Sequence, residues 1–271
     1  MPWRTEDKIK QNENKLIYYE DLPTDKEANV DVISKENLEE QWIALQTRGN
    51  KYNLPLYGVP VAVKDNIGAR GFKTTATCPL FAYEPEKDSK VVQLLRNAVG
   101  TKSPYSKTAR AFSDRHVSGG SSTASARVVA DGIVPIALGT DTAGSGRVPA
   151  ALNNLIGLKP TRGVFLCQGV VPTCKSLDCI SIFALNLSGA ETCFKILCQP
   201  DLYNNEYSRI YPSNPLQKYS KDLTINETEN PKLYHSAVDS LKQMGANIVK
   251  IDFELLLNLA HCLYEDAWIA E

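Results

Sequence analysis

Two short apolar runs, rich in β-branched residues, constrain the fold of this chain most strongly. They are Val59–Val63 and Ile133–Leu138, and turn-forming residues precede each of them. Runs of this length and composition fit strands that are buried on both faces, as in a sheet covered by helices. Apolar residues at helical spacing, for example over residues 91–98, predict the covering helices. The alternation of such elements predicts an α/β fold around a parallel or mixed sheet.

Further local signals predict the remaining elements. We expect helices over residues 34–45, 121–130, 149–155 and 233–244, a helix from Glu254 onward, and short strands at residues 157–158, 181–185 and 248–251. The stretch from residue 100 to residue 132 contains no convincing strand. A parallel unit needs a strand there to return the chain to the sheet, so one strand segment of the fold is predicted to be missing.

By composition, the chain divides into a polar N-terminal arm, residues 1–33, and one larger domain, residues 34–271. Its 30 basic and 31 acidic residues leave a formal net charge of -1. No strongly basic field therefore argues for a nucleic acid partner, and no apolar run is long enough to span a membrane. The charged N-terminus lacks the apolar core of a secretory signal, which predicts a cytoplasmic protein.

The cysteines and histidines do not form a recognisable site. The seven cysteines occur singly, with no Cys-x-x-Cys pair and no histidine cluster beside them. This pattern predicts reduced thiols in a cytosolic core and no metal site. Neither serine-rich turn has the Gly-x-Ser-x-Gly form of a nucleophile elbow. A Ser-His-Asp triad is therefore not favoured, although its members need not be close in sequence.

Lys64 directly follows the first apolar run. A lysine at the end of a buried strand is partly desolvated, which disfavours its charged form and lowers its pKa. Such a lysine can act as a general base. This feature alone leaves an alternative open, a lysine that is salt-bridged to the neighbouring Asp65.

Two glycine-containing serine turns offer partners for such a base. Ser118–Ser122 leads into a predicted helix, whose first N–H groups are free. Gly139–Arg147 follows the second apolar run, and its small residues let N–H groups converge as an oxyanion hole beside a serine requires. Taken singly, the first also fits a capped helix start and the second an ordinary strand-to-helix loop.

Together and in order, these segments resemble the amidase signature family. The match consists of a lysine after Gly-Val-Pro-Val-Ala-Val, then Gly-Gly-Ser-Ser, then Asp-Thr-Ala-Gly-Ser-Gly-Arg. The two serines, Ser121 and Ser145, are 24 positions apart, as in that family. The family uses a Ser-cisSer-Lys triad, so the resemblance implies that Ser145 is the nucleophile, Ser121 the bridging serine and Lys64 the base.

The same resemblance implies roles for the loop around Ser145. The backbone N–H groups of Thr142, Ala143 and Gly144 would form the oxyanion hole. Asp141 and Arg147 would be structural partners around this loop. The fold implied is a central mixed β-sheet flanked by helices.

Within the family, the resemblance narrows to allophanate hydrolases, and to the allophanate hydrolase part of fungal urea amidolyases. Residues 54–67, 134–154 and 175–179 carry it. It implies hydrolysis of the small amide allophanate (urea-1-carboxylate) in urea degradation, with Tyr264 helping to hold the substrate. It implies no cofactor for this domain, because biotin and ATP belong to the carboxylase half of the full-length enzymes. It is also compatible with a homodimer.

The chain departs from the family pattern in several places, among them a smaller gap near residues 226–230 and Thr123-Ala124, where the family usually has a glycine at the second place. Residues 98–100 join almost directly to Thr101–Tyr105, where the family has a further strand and loop, and the C-terminal part of the family's fold is not present. We therefore expect an incomplete amidase fold. Two alternatives to an active allophanate hydrolase stay open: a catalytically impaired fragment of a urea amidolyase, and a general amidase or an A-type amidotransferase component.

Overall fold

The structure is a computed structural model that describes residues 35–47, 54–99, 118–198, 222–224 and 231–249, with a few helical positions between 254 and 260. The chain forms two compact units, Met1–Ile210 and Tyr211–Glu271. The boundary at residue 210 was not predicted, and the assignment of residues 34–271 to one domain stays a prediction. Within the described residues, no helix is long and apolar enough to cross a membrane.

A four-stranded mixed sheet forms the centre of the first unit. Its strands are β1 (Val61–Val63), β2 (Ile136–Asp141), β3 (Ile156–Leu158) and β4 (Cys179–Ala184). They lie in the order β1-β2-β4-β3; β1 is parallel to β2, and β4 is antiparallel to both β2 and β3. This arrangement confirms the predicted α/β fold with a mixed sheet.

Helices cover both faces of this sheet. They are α2 (Lys90–Val99), α3 (Thr123–Ala130), α4 (Arg147–Leu152) and α5 (Leu187–Leu197), and α1 (Lys35–Thr47) precedes β1 in the chain. Along β2, Ile136 and Leu138 belong to the apolar cluster that contains α2 and α5, whereas Ala137 belongs to the cluster that contains α3 and α4. Both faces of the strand are thus buried, which explains why its sequence is a continuous apolar run.

The described part of the second unit contains two paired strands and a helix. Strands β5 (Asp222–Thr224) and β6 (Asn247–Val249) pair in parallel, and helix α6 (Pro231–Gln243) connects them. Gly245 has a φ of 86°, which fits the predicted glycine stop after the helix.

The observed element boundaries differ from the predicted ones where backbone hydrogen bonds decide them. The second strand was predicted over residues 133–138 but runs from Ile136 to Asp141. The N–H groups of Ile133 and Val134 donate to the Val128 carbonyl and so close the end of α3, and Pro135 has no N–H for a ladder.

Helix α5 was not predicted. Its signal was Asn186, whose side-chain oxygen caps the helix by accepting a hydrogen bond from the Gly189 N–H at 2.8 Å. Residues 100–117, which include the place of the predicted missing strand, and most of the predicted helix after Glu254 lie outside the described residues.

Candidate active site

The parallel pairing of β1 with β2 places Lys64 beside the end of β2. The Lys64 N–H continues the ladder by donating to the Leu138 carbonyl at 3.0 Å. The Lys64 ammonium then donates to two hydroxyls: Thr140 Oγ1 at 2.9 Å and Ser121 Oγ at 2.7 Å. A lysine one residue past one strand and a threonine near the end of its neighbour are thereby brought together with a serine from a distant turn.

Lys64 is half-buried, and its charge is correspondingly disfavoured. Desolvation lowers its pKa from 10.5 to about 8, although the charges of Asp178, Asp141 and Asp65 act to raise it. The structure does not have the alternative arrangement, a salt bridge between Lys64 and Asp65. The Asp65 carboxylate accepts the N–H groups of Thr75 and Thr77, and among the described residues Lys64 forms no ion pair.

The turn that carries Ser121 is fixed on both sides. On one side, the buried Asn153 amide donates to the Ser118 hydroxyl at 2.8 Å and to the Ser118 carbonyl at 3.2 Å. On the other, the Ser122 hydroxyl donates to the Thr140 carbonyl at 2.9 Å and accepts the Thr140 N–H at 3.1 Å. Ser121 stands between these anchors and is itself exposed.

The backbone of this turn has two uncommon features. Gly119 has a φ of 78°, and a Cβ there would lie 3.1–3.2 Å from atoms of Val148, Leu152 and Pro149. Glycine is therefore required at this position. The Gly120–Ser121 peptide bond is cis, and the family resemblance predicts a cis bond at the bridging serine.

Ser145 lies in the loop between β2 and α4, close to the Ser121 turn. The Ser122 N–H donates to the Ser145 carbonyl at 3.2 Å, which ties the two serine-bearing segments together. Gly139 allows β2 to approach this region, because a Cβ there would lie 2.7–2.8 Å from Phe183 and Ser122 atoms.

One carboxylate organises the loop around Ser145. Asp141, which is fully buried, accepts the backbone N–H groups of Gly144, Gly146 and Arg147 at 2.9–3.1 Å. The half-exposed Arg147 guanidinium adds two further bonds, from Nε at 3.0 Å and from Nη2 at 2.9 Å. Burial acts to raise the pKa of Asp141, but the hydrogen bonds and charge of Arg147 outweigh it, so this pKa lies below its ordinary value.

The predicted oxyanion donors need one correction. The Gly144 N–H already donates to Asp141 Oδ1, so it is not available to a developing oxyanion in this arrangement. The N–H groups of Thr142, Ala143 and Ser145 have no hydrogen-bond partner among the described residues. The Ser145 N–H is a free donor that the sequence analysis did not predict.

Several further polar residues of the site were not predicted. Thr140 links Lys64 to Asn66, whose amide donates to the same threonine hydroxyl at 3.2 Å. Asp178 accepts the Thr142 hydroxyl, and Asn153 holds the Ser121 turn. Each is a polar residue on or beside a buried apolar segment, and that contrast is the signal that could have identified them.

Two remaining predictions concern other parts of the site. Tyr264, predicted to help hold the substrate, lies outside the described residues. Among the described residues, no group of three or more His, Cys, Asp or Glu side chains could hold a metal ion.

The fold and this arrangement of lysine and serines define an α/β protein with the features of a serine amidase, and comparisons with known proteins give the family. The Amidase family profile matches residues 19–101 and 98–271, and the chain belongs to that family. The two matched segments meet at residues 98–101, where the sequence analysis predicts a missing strand.

The chain is similar to several characterised proteins. It is 64% identical to urea amidolyase of Saccharomyces cerevisiae over 268 residues, which is 89% of this chain and 15% of that protein. The solved structure of Kluyveromyces lactis allophanate hydrolase superimposes with a TM-score of 0.82 at 56% identity, over 89% of this chain and 44% of that one. The A-type component of the glutamyl-tRNA(Gln) amidotransferase of Methanospirillum hungatei is 34% identical over 72% of this chain and 52% of its own length. The chain thus spans about a seventh of the yeast relative.

Proposed function

We propose that this chain is a hydrolase of amide carbon–nitrogen bonds whose substrate is allophanate. In this proposal Ser145 is the nucleophile, Ser121 relays protons and Lys64 is the base. The observation that carries the proposal is the 2.7 Å hydrogen bond from Lys64 Nζ to Ser121 Oγ, made by a lysine whose pKa lies at about 8. A lysine with this pKa is about one-tenth neutral at pH 7 and can therefore accept a proton.

The proposed reaction proceeds through an acyl-enzyme. The Ser145 hydroxyl oxygen attacks the substrate carbonyl while its proton passes to Ser121, and the Ser121 proton passes to neutral Lys64. The proton then returns through Ser121 to the departing nitrogen, which leaves as ammonia when the carbon–nitrogen bond breaks. A water molecule deprotonated by the same relay releases the acyl group and regenerates Ser145.

The oxyanion of each tetrahedral intermediate needs donors near Ser145. The N–H groups of Thr142, Ala143 and Ser145 are free to bind it. Asp141 binds the neighbouring N–H groups and so fixes the loop that presents these donors. Donors fixed before the reaction stabilise the developing charge without reorganisation.

The relatives support allophanate as the substrate. Identity of 64% to a urea amidolyase and 56% to an allophanate hydrolase exceeds the 34% to an amidotransferase component. Tyr264 is proposed to help hold the substrate. The proposal also includes a cytoplasmic location, hydrolysis without a cofactor of this domain, and a homodimer as the oligomeric state to be tested.

The amidotransferase-type relatives give the second candidate, a general amidase or A-type amidotransferase activity. The chemistry at Ser145 would be the same, and the substrate would differ. A catalytically impaired fragment is the third candidate, in which the site residues are present without turnover.

Three measurements on the full chain separate these candidates. A fluorophosphonate probe should label Ser145 in the parent chain and not in Ser145→Ala. Ammonia release should occur from allophanate and not from glutamine or simple aliphatic amides. The reverse preference would favour the second candidate, and folded protein with neither labelling nor ammonia release would favour the third.

A further inference from the structure

Asp178 is a buried carboxylate, just ahead of β4, that the proposed mechanism does not use. Its Oδ2 accepts the backbone N–H groups of Thr173 at 2.7 Å and Cys174 at 3.2 Å. Its Oδ1 accepts a hydrogen bond from the Thr142 hydroxyl. Asp178 therefore joins the segment before β4 to the loop that follows β2.

The loop that presents the oxyanion donors is thus held by two carboxylates. Asp141 binds the N–H groups of Gly144, Gly146 and Arg147 in the later part of the loop, while Asp178 binds the side chain of Thr142 at its start. Because a fixed Thr142 side chain limits rotation of the backbone beside it, Asp178 controls the direction of the free N–H groups of Thr142 and Ala143.

The two carboxylates differ in how their charge is compensated. Asp141 is paired with Arg147, whereas Asp178 forms no ion pair among the described residues. Lys64 Nζ donates to Thr140 Oγ1, and Asp178 accepts the hydroxyl of Thr142, two residues further along the same segment. Burial has the largest effect on the pKa of Lys64, and among the charges that act against it, those of Asp178, Asp141 and Asp65, that of Asp178 is the largest. The charge of Asp178 is thus available to stabilise the ammonium form of Lys64.

We propose that Asp178 is a positioning residue with two separable effects. Its hydrogen bond fixes Thr142 and the oxyanion-binding N–H groups, and its charge favours the proton on Lys64 after Lys64 has accepted it. The inference deepens the proposed function and rests on it, because it assigns Asp178 to the same site.

Three variants of the full chain separate the two effects. Asp178→Asn removes the charge and keeps an oxygen that can accept the Thr142 hydroxyl. Thr142→Val removes the hydroxyl and keeps the charge, and Thr142→Ser is the matched control that keeps both. Asp178→Ser is a second neutral variant, and circular dichroism identifies the folded ones.

The charge effect is measured without any need for catalysis. Trace acetylation of Lys64 with acetic anhydride, followed against pH by peptide mass spectrometry, gives its pKa directly. We expect the neutral Asp178 variants to lower this pKa by about one pH unit, as loss of a nearby opposite charge does. Both Thr142 variants should leave it at the parent value. An unchanged Lys64 pKa in the folded neutral variants would overturn the charge effect.

The positioning effect is measured by the rate at which a fluorophosphonate labels Ser145, at a pH where Lys64 is neutral in every variant. We expect Thr142→Val to react about tenfold more slowly than Thr142→Ser, which restores the hydroxyl, because small displacements of catalytic groups reduce rates by such factors. Equal labelling rates for Thr142→Val and Thr142→Ser would overturn the positioning effect. If the parent chain itself is not labelled, the proposed function fails, while the acetylation experiment still tests the action of Asp178 on Lys64.

Discussion

The two serine-bearing segments of the site are held in different ways. The loop around Ser145 is organised by ions, because Asp141 accepts hydrogen bonds from the loop backbone and from the Arg147 guanidinium. The turn around Ser121 is organised by neutral groups, namely the Asn153 amide and the hydroxyl of Ser122. Among the described residues, the turn in direct contact with Lys64 has no charged anchor, so no ionic contact with this turn opposes the burial that lowers the lysine pKa to about 8.

The largest effect is expected from replacement of Lys64, the residue whose pKa is lowered. Lys64→Met keeps a long apolar side chain but removes the group that accepts the proton. We expect fluorophosphonate labelling of Ser145 to slow on the order of 10⁶-fold, as in a triad that loses its base. Lys73→Met, at an exposed lysine, is the matched control and should react at the parent rate. Equal rates for the two variants would contradict the role of Lys64.

Loss of the ionic anchor, the Asp141 carboxylate, should give the next largest effect, which is a decrease in stability. Asp141→Asn leaves the loop amides and Arg147 without their carboxylate, which should lower the free energy of unfolding by about 3 kcal/mol at pH 7 in urea titrations. The pKa of Asp141 is depressed by folding, so its stabilisation is present above the ordinary aspartate pKa of about 3.9 and is lost as the pH falls toward the folded value. The parent and variant should therefore converge in acid; an equal difference at pH 7 and pH 3 would contradict this.

The neutral anchor should give a smaller effect without that pH dependence. Asn153→Leu has a similar volume but leaves the Ser118 hydroxyl and two backbone carbonyls, of Ser118 and Pro149, without the amide donor. We expect a loss of about 2 kcal/mol in urea titrations, the same at pH 7 and pH 4. A loss that disappears in acid would show that this anchor is not neutral.

The smallest effect should come from the glycine conformation of the Ser121 turn. Gly119→Ala places a Cβ on a residue with a φ of 78°, which should cost about 1–2 kcal/mol in thermal or urea unfolding. Gly120→Ala is the neighbouring control, since its nearest neighbour would be Thr123 Oγ1 at 3.8 Å. A larger loss at Gly120 than at Gly119 would contradict the assigned role of the left-handed glycine.

Much of the fold could be predicted because buried strands and helices have recognisable patterns of apolar residues. The apolar runs around Ala62 and Ala137 identified β1 and β2, which pack between two apolar clusters. The limits of β2 could not be predicted, because they depend on the N–H groups of Ile133 and Val134 bonding back to α3. Helix α5 was not predicted, and its N-cap residue Asn186 is the signal that could have indicated it.

The site could be predicted only in part for a similar reason. Local motifs identified Lys64, Ser121 and Ser145, whose segments the structure brings together. Asn153, which holds the Ser121 turn, and Asp178, which holds Thr142, act through hydrogen bonds across 35 and 36 positions of the sequence, and no local pattern indicates those. The Gly144 N–H, predicted to be an oxyanion donor, is bonded to a carboxylate three residues earlier, and only the folded loop shows this contact.

The central claim is that Lys64, with a pKa lowered by burial, activates Ser145 through Ser121. The pH dependence of fluorophosphonate labelling of Ser145 tests it most directly. We expect the labelling rate of the parent chain to rise with pH, with a midpoint at about 8, and then to level off. In Lys64→Met this transition should be lost. A rate that keeps rising past the ordinary lysine pKa of about 10.4, or a midpoint at about 8 that survives in Lys64→Met, would contradict it.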